Sequence, residues 1–488
     1  MISHSKSLGA SRPKVARVCI ASVLLQLVAA FAIAQEVSPT DSTQLSLTKL
    51  LELAQQNVDL KKLNQSSLKQ AQLRLSQVNA ERWLSTFDLQ VLSGVVPNVD
   101  ANAAVAAKNA SDFLFNLKSN DLENDFSFTG LGPFVQLEVK AIQPLYTWGK
   151  ISGYEKMASE NISLVGAQNQ SRVDEIRYLT KKAFYNLLFS VEAINVLSEV
   201  QEKLQAAEDK LEELLIKNSK NVEEQDRLKI RVFASDVANR LLDARRGETL
   251  SRTALAELTG IRGDWKPIPE QLKPEPVDNL IKEEVIRTAI SKKPSILQLD
   301  RLISIKKAEK QVARSDLFPS IFLAGELNYA YAPGRTDVKN PYLNDPFNRF
   351  GFGVALGFKQ DLGLYRSLNK MEQLETEIYK NEAQRQQLIA LTRLQTEEHY
   401  EKAANSIEGI QINEKGFRAA RSWLTSTALS YNLGTASTKD VLESYAAYFK
   451  ARLDLIKSIF ELNMALAELS RAAGIEAVAG LNTPSPSL

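Results

Sequence analysis

The side chains able to do chemistry in this 488-residue chain are almost all carboxylates, lysines and hydroxyls, with one cysteine, Cys19, and two histidines, His4 and His399. Acidic residues gather where two helices are expected to begin: Glu223, Glu224 and Asp226 at one, Asp440 and Glu443 at the other. Gln136, Glu138 and Lys140 alternate with apolar residues on an expected strand, and Glu326 and Lys359 hold comparable places on later strands. Paired carboxylates are the equipment of glycosidase-type hydrolysis. Thiolate nucleophiles, disulfide frameworks and zinc sites built from Cys or clustered His lack their raw material, and no Walker-type phosphate loop occurs. The carboxylates have no compact cleft-forming domain to hold them. The expectation is therefore a protein that is not an enzyme and needs no metal or cofactor.

Residues 1–34 read as a signal peptide. Lys6, Arg12, Lys14 and Arg17 precede an apolar run from Val18 to Ala32, and Ala32-Ile33-Ala34 forms an A-x-A cleavage site. Cleavage removes Cys19 and His4. The formal charge of +2 includes four basic and no acidic residues of that segment, which leaves the remainder at about −2. Interspersed signs near neutrality give no footprint for nucleic acid. Beyond the signal no apolar run reaches the length of a spanning helix, so entry into a membrane would have to be as a barrel.

The elements that must position these side chains alternate between two periods. Val135, Leu137 and Val139 alternate with Gln136, Glu138 and Lys140, as in a two-faced strand. The chain then turns at Gln143-Pro144-Leu145-Tyr146 into a proline-free stretch from Ser152 to Lys217. Val200, Leu204, Ala207, Leu211 and Leu214 there fall at the three-four spacing of a coiled-coil seam. Such a helix is about 100 Å long. Before the strand, a helix is expected from Leu47 to Arg82, then a strand around Phe87, Leu89 and Val91, then an aperiodic loop from Gly94 to Pro133. After the rod, a break at Asn218 leads to a helix from Val222 to Leu258.

The same order recurs: helix (Lys282–Ser315), strand (Ser320–Tyr331), strand (Phe350–Gln360), long helix (Leu364–Ser430) and helix (Thr438–Ala472). Gln360-Asp361-Leu362 echoes Gln143-Pro144-Leu145, Asn432 and Asp440 echo Asn218 and Asp226, and Ala465-Leu-Ala-Glu-Leu469 echoes Ala254-Leu-Ala-Glu-Leu258. An internal duplication follows, with a first repeat at 35–261, a Pro-rich linker or small irregular layer at 262–281, a second repeat at 282–475 and a tail at 476–488.

The four strands, of about 10 to 12 residues, match a tilted bilayer crossing. Aromatics gather at both ends, Tyr329, Tyr331 and Phe350 toward the loops and Trp83, Tyr146 and Trp148 toward the helices, as in interfacial girdles. Four strands cannot close, and lipid permits no open edge, so the barrel must be shared between chains. A soluble sheet beside a secreted coiled-coil structural or adhesive protein is the alternative. The girdled amphipathic strands argue against it.

The strand-to-helix junctions Gln143-Pro144-Leu145-Tyr146-Thr147-Trp148-Gly149 and Gln360-Asp361-Leu362-Gly363, the duplicated block, and Tyr431-Asn432-Leu433-Gly434 at the second break resemble the TolC-like outer-membrane efflux proteins. The resemblance implies an α+β fold of long antiparallel coiled-coil helices plus four transmembrane strands per chain. Three chains then form a 12-stranded β-barrel in the bacterial outer membrane, in contact with its lipid, above an α-helical tunnel in the periplasm. It implies the exit duct of a tripartite efflux or type I secretion system, conducting passively through a gated periplasmic aperture. The implied partners are the other subunits of a homotrimer, a periplasmic adaptor (membrane fusion) protein and an inner-membrane pump of RND or ABC type. The hairpin tips at Asn218 and at Tyr431, Asn432, Leu433 and Gly434 would dock the adaptor. On trimerisation Glu223, Glu224, Asp226, Asp440 and Glu443 would ring the aperture, and Gln136, Glu138, Lys140, Glu326 and Lys359 would line the barrel.

Overall fold

The computed structural model describes residues 43–83, 86–99, 128–216, 224–263, 265–269, 271–277, 281–335 and 345–474. The segments expected to be a signal peptide (1–34) and a tail (476–488), together with Asn218 and Glu223, lie outside these residues. In chain order the elements are β1 (Thr43–Ser46), α1 (Leu47–Gln56), α2 (Val58–Trp83), β2 (Thr86–Val99), β3 (Phe128–Tyr146), α3 (Lys150–Ile216), α4 (Glu224–Thr259), β4 (Trp265–Ile268), α5 (Lys282–Lys292), α6 (Pro294–Ser315), β5 (Ser320–Tyr331), β6 (Arg349–Lys359), α7 (Leu364–Asn432) and α8 (Thr438–Ala473).

The two rods are α3, with 67 residues, and α7, with 69. Each is about 100 Å long and carries an antiparallel partner along its far half, α4 or α8. The helices expected over Leu47–Arg82 and Lys282–Ser315 are each two helices. Asn57 leaves the helical region at ψ 124° and donates its side-chain amide to the Leu258 carbonyl (3.1 Å), so one residue ends α1 and satisfies the free end of α4. Lys293 is extended (ψ 118°) because Pro294 follows it, and Pro294 opens α6 at the position where its missing N–H costs nothing.

Leu204 and Leu211 of the expected seam are buried against Ile230, Val237 and Leu241 of α4. The core widens where α1, α3, α4 and α8 meet. Phe184, Leu187, Leu188 and Val196 there pack with Leu50, Leu255, Phe449 and Ile456. Two stretches outside the expected helices and strands help close it. Thr43–Ser46 pairs in parallel with Trp265–Ile268, bringing Trp265 into the core under Arg252, whose guanidinium donates to the Trp265 carbonyl (3.0 Å). Residues 271–277 are held down by the buried Asn463, which donates to the Lys273 carbonyl (2.8 Å) and accepts from the Glu275 N–H (2.9 Å). Residues 265–268 and 271–277 are thus docked on the helices.

Beyond the helices lies a four-stranded antiparallel sheet in the order β2-β3-β5-β6. The loop expected over Gly94–Pro133 is shorter than its sequence suggests. The β2–β3 ladder continues through Val95↔Pro133 and Val96↔Gly132 to Val99↔Phe128. Glycine and proline at these positions hide the period-two pattern, while the neighbouring backbone still pairs. Among the described residues no helix is long and apolar enough to cross a membrane.

Candidate functional site

The ladder registers give the sheet two unlike faces. Residues directly opposite in neighbouring strands share a face. One row reads Asp88–Lys140–Glu326–Gly353 and the next Gln90–Glu138–Asn328–Gly351. Gln136, Glu138, Lys140, Glu326 and Lys359 therefore lie on one face, as the sequence pattern predicts. Lys140 is ion-paired with Glu138 and stands between the Asp88 and Glu326 columns, so signs alternate along the row. In the middle of β6 this face has no side chains at two successive positions: a Cβ added at Gly351 or Gly353 would meet nothing within 4 Å. Nearer the helices Gly357 lies under the Phe322 ring and has no room for a side chain.

The opposite face is apolar and open to solvent. Its rows are Leu89–Val139–Leu327–Phe352, Val91–Leu137–Tyr329–Phe350 and Phe87–Ala141–Gly325–Val354. Phe352 is 77%, Val354 72% and Phe358 81% exposed. A monomeric soluble protein rarely presents so continuous an apolar surface. Within the chain β2 and β6 are edge strands, each with one paired side, and free edges of this length invite pairing with another chain.

All six expected boundary aromatics are exposed at one or other end of this sheet: Trp83, Tyr146 and Trp148 beside the helices, Tyr329, Tyr331 and Phe350 away from them. At the helix end Trp148 stacks on Phe318 (4.8 Å between centroids), meets Tyr146 edge-on (5.0 Å), and donates its indole N–H to the Pro319 carbonyl (2.9 Å). Trp148 (φ 52°) and Gly149 (φ 87°) are consecutive left-handed residues that turn the chain from β3 into α3. For Trp148 this conformation is unfavourable, and the stack and hydrogen bond hold it there. Gly153 packs against α6 so closely that a Cβ would lie 2.6 Å from a Val312 methyl.

One feature of these junctions was present in the sequence only as a weak echo. Gln143, at the end of β3, donates to the Arg82 carbonyl (2.9 Å), where the chain leaves α2 for β2. Gln360, just past β6, donates to the Leu317 carbonyl (3.1 Å), where the chain leaves α6 for β5. Each glutamine ties the outgoing junction of its half to the incoming one.

At the far ends of the rods the expected tip residues fall into unlike surroundings. Asp226, in the first turn of α4, is buried and ion-paired with Lys229 (3.2 Å). Glu224 is exposed and paired with Arg227. Asp440 is exposed and forms a capping box with Ser437: its carboxylate accepts from the Ser437 backbone N–H (2.9 Å) and hydroxyl (2.7 Å), while its own N–H donates to Ser437 Oγ (3.2 Å). These hydrogen bonds, from the hydroxyl first, hold its pKa below the usual carboxylate value. Glu443 is exposed, with Lys439 3.9 Å away. Tyr431 and Asn432 end α7 and Leu433 and Gly434 turn the chain; all four are exposed, with Gly434 left-handed (φ 75°) and donating its N–H to the Tyr431 carbonyl (3.0 Å). Beside it an apolar hollow of about 280 Å³ is lined by Leu204, Leu211, Phe233, Tyr431 and Tyr445.

His399 lines a polar hollow between helices, 3.5 Å from the Glu468 carboxylate, which also pairs with Lys402 (2.7 Å). In the same hollow burial, reinforced by Arg471, pushes the Lys293 pKa down. Among the described residues no cluster of His, Cys, Asp or Glu is arranged to hold a metal.

Residues 285–475 match the sequence model of the family described as outer membrane efflux protein. No curated protein is significantly similar in sequence. Among solved structures, the open-state outer membrane channel MtrE of Neisseria gonorrhoeae is similar at 14% identity and a TM-score of 0.68, over 91% of this chain and 94% of MtrE. The outer membrane protein VceC of Vibrio cholerae is similar at 16% identity and a TM-score of 0.66, over 88% of this chain and 96% of VceC. CusC, whose structures concern folding and transmembrane channel formation, gives 14% identity and a TM-score of 0.67, over 91% and 96% of the two chains. At these identities the likeness is one of fold. The sequence match to the family thus covers the second half, and the likeness of fold runs along nearly the whole chain.

Proposed function

From this resemblance to the outer-membrane efflux proteins we propose that the chain is one subunit of an efflux-type outer-membrane duct. The observation that carries the reading is the four-stranded sheet, apolar and exposed on one face, charged on the other, and open at both edges. Lipid would cover the apolar face, since a bilayer tolerates strands only in a closed ladder. Closure comes from β6 of one subunit pairing with β2 of the next in a homotrimer. A barrel of twelve strands is wide enough to leave water in its lumen, whereas eight would fill with side chains. Gln136, Glu138, Lys140, Glu326 and Lys359 then line the lumen, and the boundary aromatics lie at the two lipid interfaces.

The duplicated block supplies each subunit with two helical hairpins, and three subunits give a tunnel reaching about 100 Å into the periplasm. Transport is passive: no step requires catalysis or a cofactor, and energy comes from an inner-membrane pump of RND or ABC type through a periplasmic adaptor. The tip at Asn218 and the turn Tyr431 to Gly434 are the docking points for that adaptor. The apolar hollow under Tyr431 supports this, because exposed apolar surface at a hairpin end suits a helical partner. Glu223, Glu224, Asp226, Asp440 and Glu443 surround the aperture. Asp440 is the strongest candidate for a selectivity ring, since it is exposed and held ionised, whereas Asp226 is buried beside Lys229.

Planar-bilayer recordings test this reading. The purified protein is expected to give discrete cation-preferring conductance steps, and Asp440→Asn to weaken that preference more than Asp226→Asn. Equal cation preference in both variants and in the unmodified protein would remove the acidic-ring assignment. Absence of any conductance would remove the duct.

A further inference from the structure

We propose that the polar hollow around Lys293 is a binding site for a small oxyanion, a phosphate or a carboxylate, formed by one chain. The hollow, of about 410 Å³, opens where α3, the corner between α5 and α6, α7 and α8 meet. It lies among the helices, away from both the sheet and the rod tips, and its walls need neither a second subunit nor a membrane. The chain leaves the charges of this hollow unevenly matched.

The carboxylates that line it are all engaged. Glu175 pairs with Arg471 (2.7 Å), Glu468 pairs with Lys402 (2.7 Å), and Asp174 accepts from the Gln170 amide (2.8 Å). Two nitrogen groups are left without such a partner. Lys293 is half-buried, and its ammonium donates to the Gln395 side-chain oxygen at 3.3 Å. Among the described residues no carboxylate lies within ion-pair distance of it; its charged neighbour is Arg471, and burial together with that guanidinium pushes its pKa down. His399 Nδ1 is buried 3.5 Å from the Glu468 carboxylate and makes no hydrogen bond. A buried polar atom in that state marks a place for a water, an ion or a ligand. With a proton on Nδ1, it is a donor that an oxyanion can take. An anion between the ammonium and the guanidinium would relieve their repulsion and favour the charged lysine. Arg471 is placed to share it, since its guanidinium stands 4.6 Å over the Tyr178 ring and gives Nη2 to Glu175, with further N–H groups on the same fork. Pro294 and Ser295 open α6 in the same wall, and no side chain caps that helix end, so its partial positive charge adds to the field. A bound oxyanion would tie the α5–α6 corner to α7 and α8.

Calorimetric titration of the purified full chain in detergent tests this, with inorganic phosphate and succinate as separate probes and chloride at equal ionic strength as the control. Saturable binding of at least one oxyanion is expected, and which of the two binds more tightly names the class the hollow takes. Lys293→Gln should weaken that binding at least about tenfold, through loss of one charge-assisted hydrogen bond, and Lys293→Arg should retain most of it. A second readout needs no variant. Acetylation of the unmodified protein by acetic anhydride, resolved by mass spectrometry, compares Lys293 with the exposed Lys292 beside it. The bound oxyanion should slow labelling of Lys293 and leave Lys292 unchanged. Labelling of Lys293 that neither probe slows would overturn the site, as would binding that Lys293→Gln leaves unchanged or that chloride matches. None of these readouts involves conductance, so the duct reading stands or falls separately.

Discussion

Replacing Val354 with arginine separates a lipid-facing sheet from a soluble one. Val354 is the sixth of eleven residues in β6, 72% exposed, between Phe352 and Leu356 on the apolar face. Five residues to either end of the strand is about 17 Å along it, or about 13 Å along the membrane normal at a typical barrel tilt, which is the middle of an apolar band about 25 Å tall. Arginine at that depth costs about 2–4 kcal/mol per chain, or roughly a hundredfold in the folding equilibrium at the centre of that range. If the same face were in water, an exposed Val→Arg change would fall within about 0.5 kcal/mol of neutral. Ala355→Arg, one residue on and facing the charged side, is the internal control and should stay near neutral. Guanidinium titration of the protein in lipid vesicles, followed by loss of the heat-modifiable trimer band, reads both variants. A Val354→Arg midpoint indistinguishable from that of Ala355→Arg would refute the lipid-facing assignment.

Other consequences follow from single contacts. Phe184→Ala empties part of the core where α1, α3, α4 and α8 meet and should cost about 3–5 kcal/mol in chemical denaturation. Loss of the clamp in Gln143→Ala or Gln360→Ala should cost about 1 kcal/mol each, seen as faster amide hydrogen exchange at the sheet–helix boundary. Because hydrogen bonds from Ser437 depress the Asp440 pKa, its stabilisation of the α8 start is complete above the unfolded carboxylate value of about 3.9 and is lost as pH falls through the lower folded value. Hydrogen exchange in the first turn of α8 should therefore accelerate only in that acid range, and Asp440→Asn should abolish the change.

Much of this architecture was legible because periodic patterns are long where they matter. A rod of 67 residues with a buried seam leaves little room for another reading, and the alternation of Gln136, Glu138 and Lys140 with Val135, Leu137 and Val139 fixes both faces of β3. The breaks at Asn57 and Lys293 were missed for different reasons. Pro294 is a local signal for the second, whereas Asn57 breaks its helix through bonds to carbonyls about 200 positions away. The β1–β4 pair escaped because four-residue strands carry no measurable period and their partners are distant in sequence. The matching of Asp226 with Asp440 by repeat position did not foretell their surroundings, since one is buried and ion-paired with a lysine one turn on while the other is exposed and bonded to a preceding serine.

The most direct measurement is fractionation of cells producing the full chain, with the recovered protein run on gels before and after heating. A species in the outer-membrane fraction that migrates as a trimer and falls to a single chain on boiling is the expected result. Recovery of the native protein as a soluble monomer would contradict the shared barrel, and with it the duct.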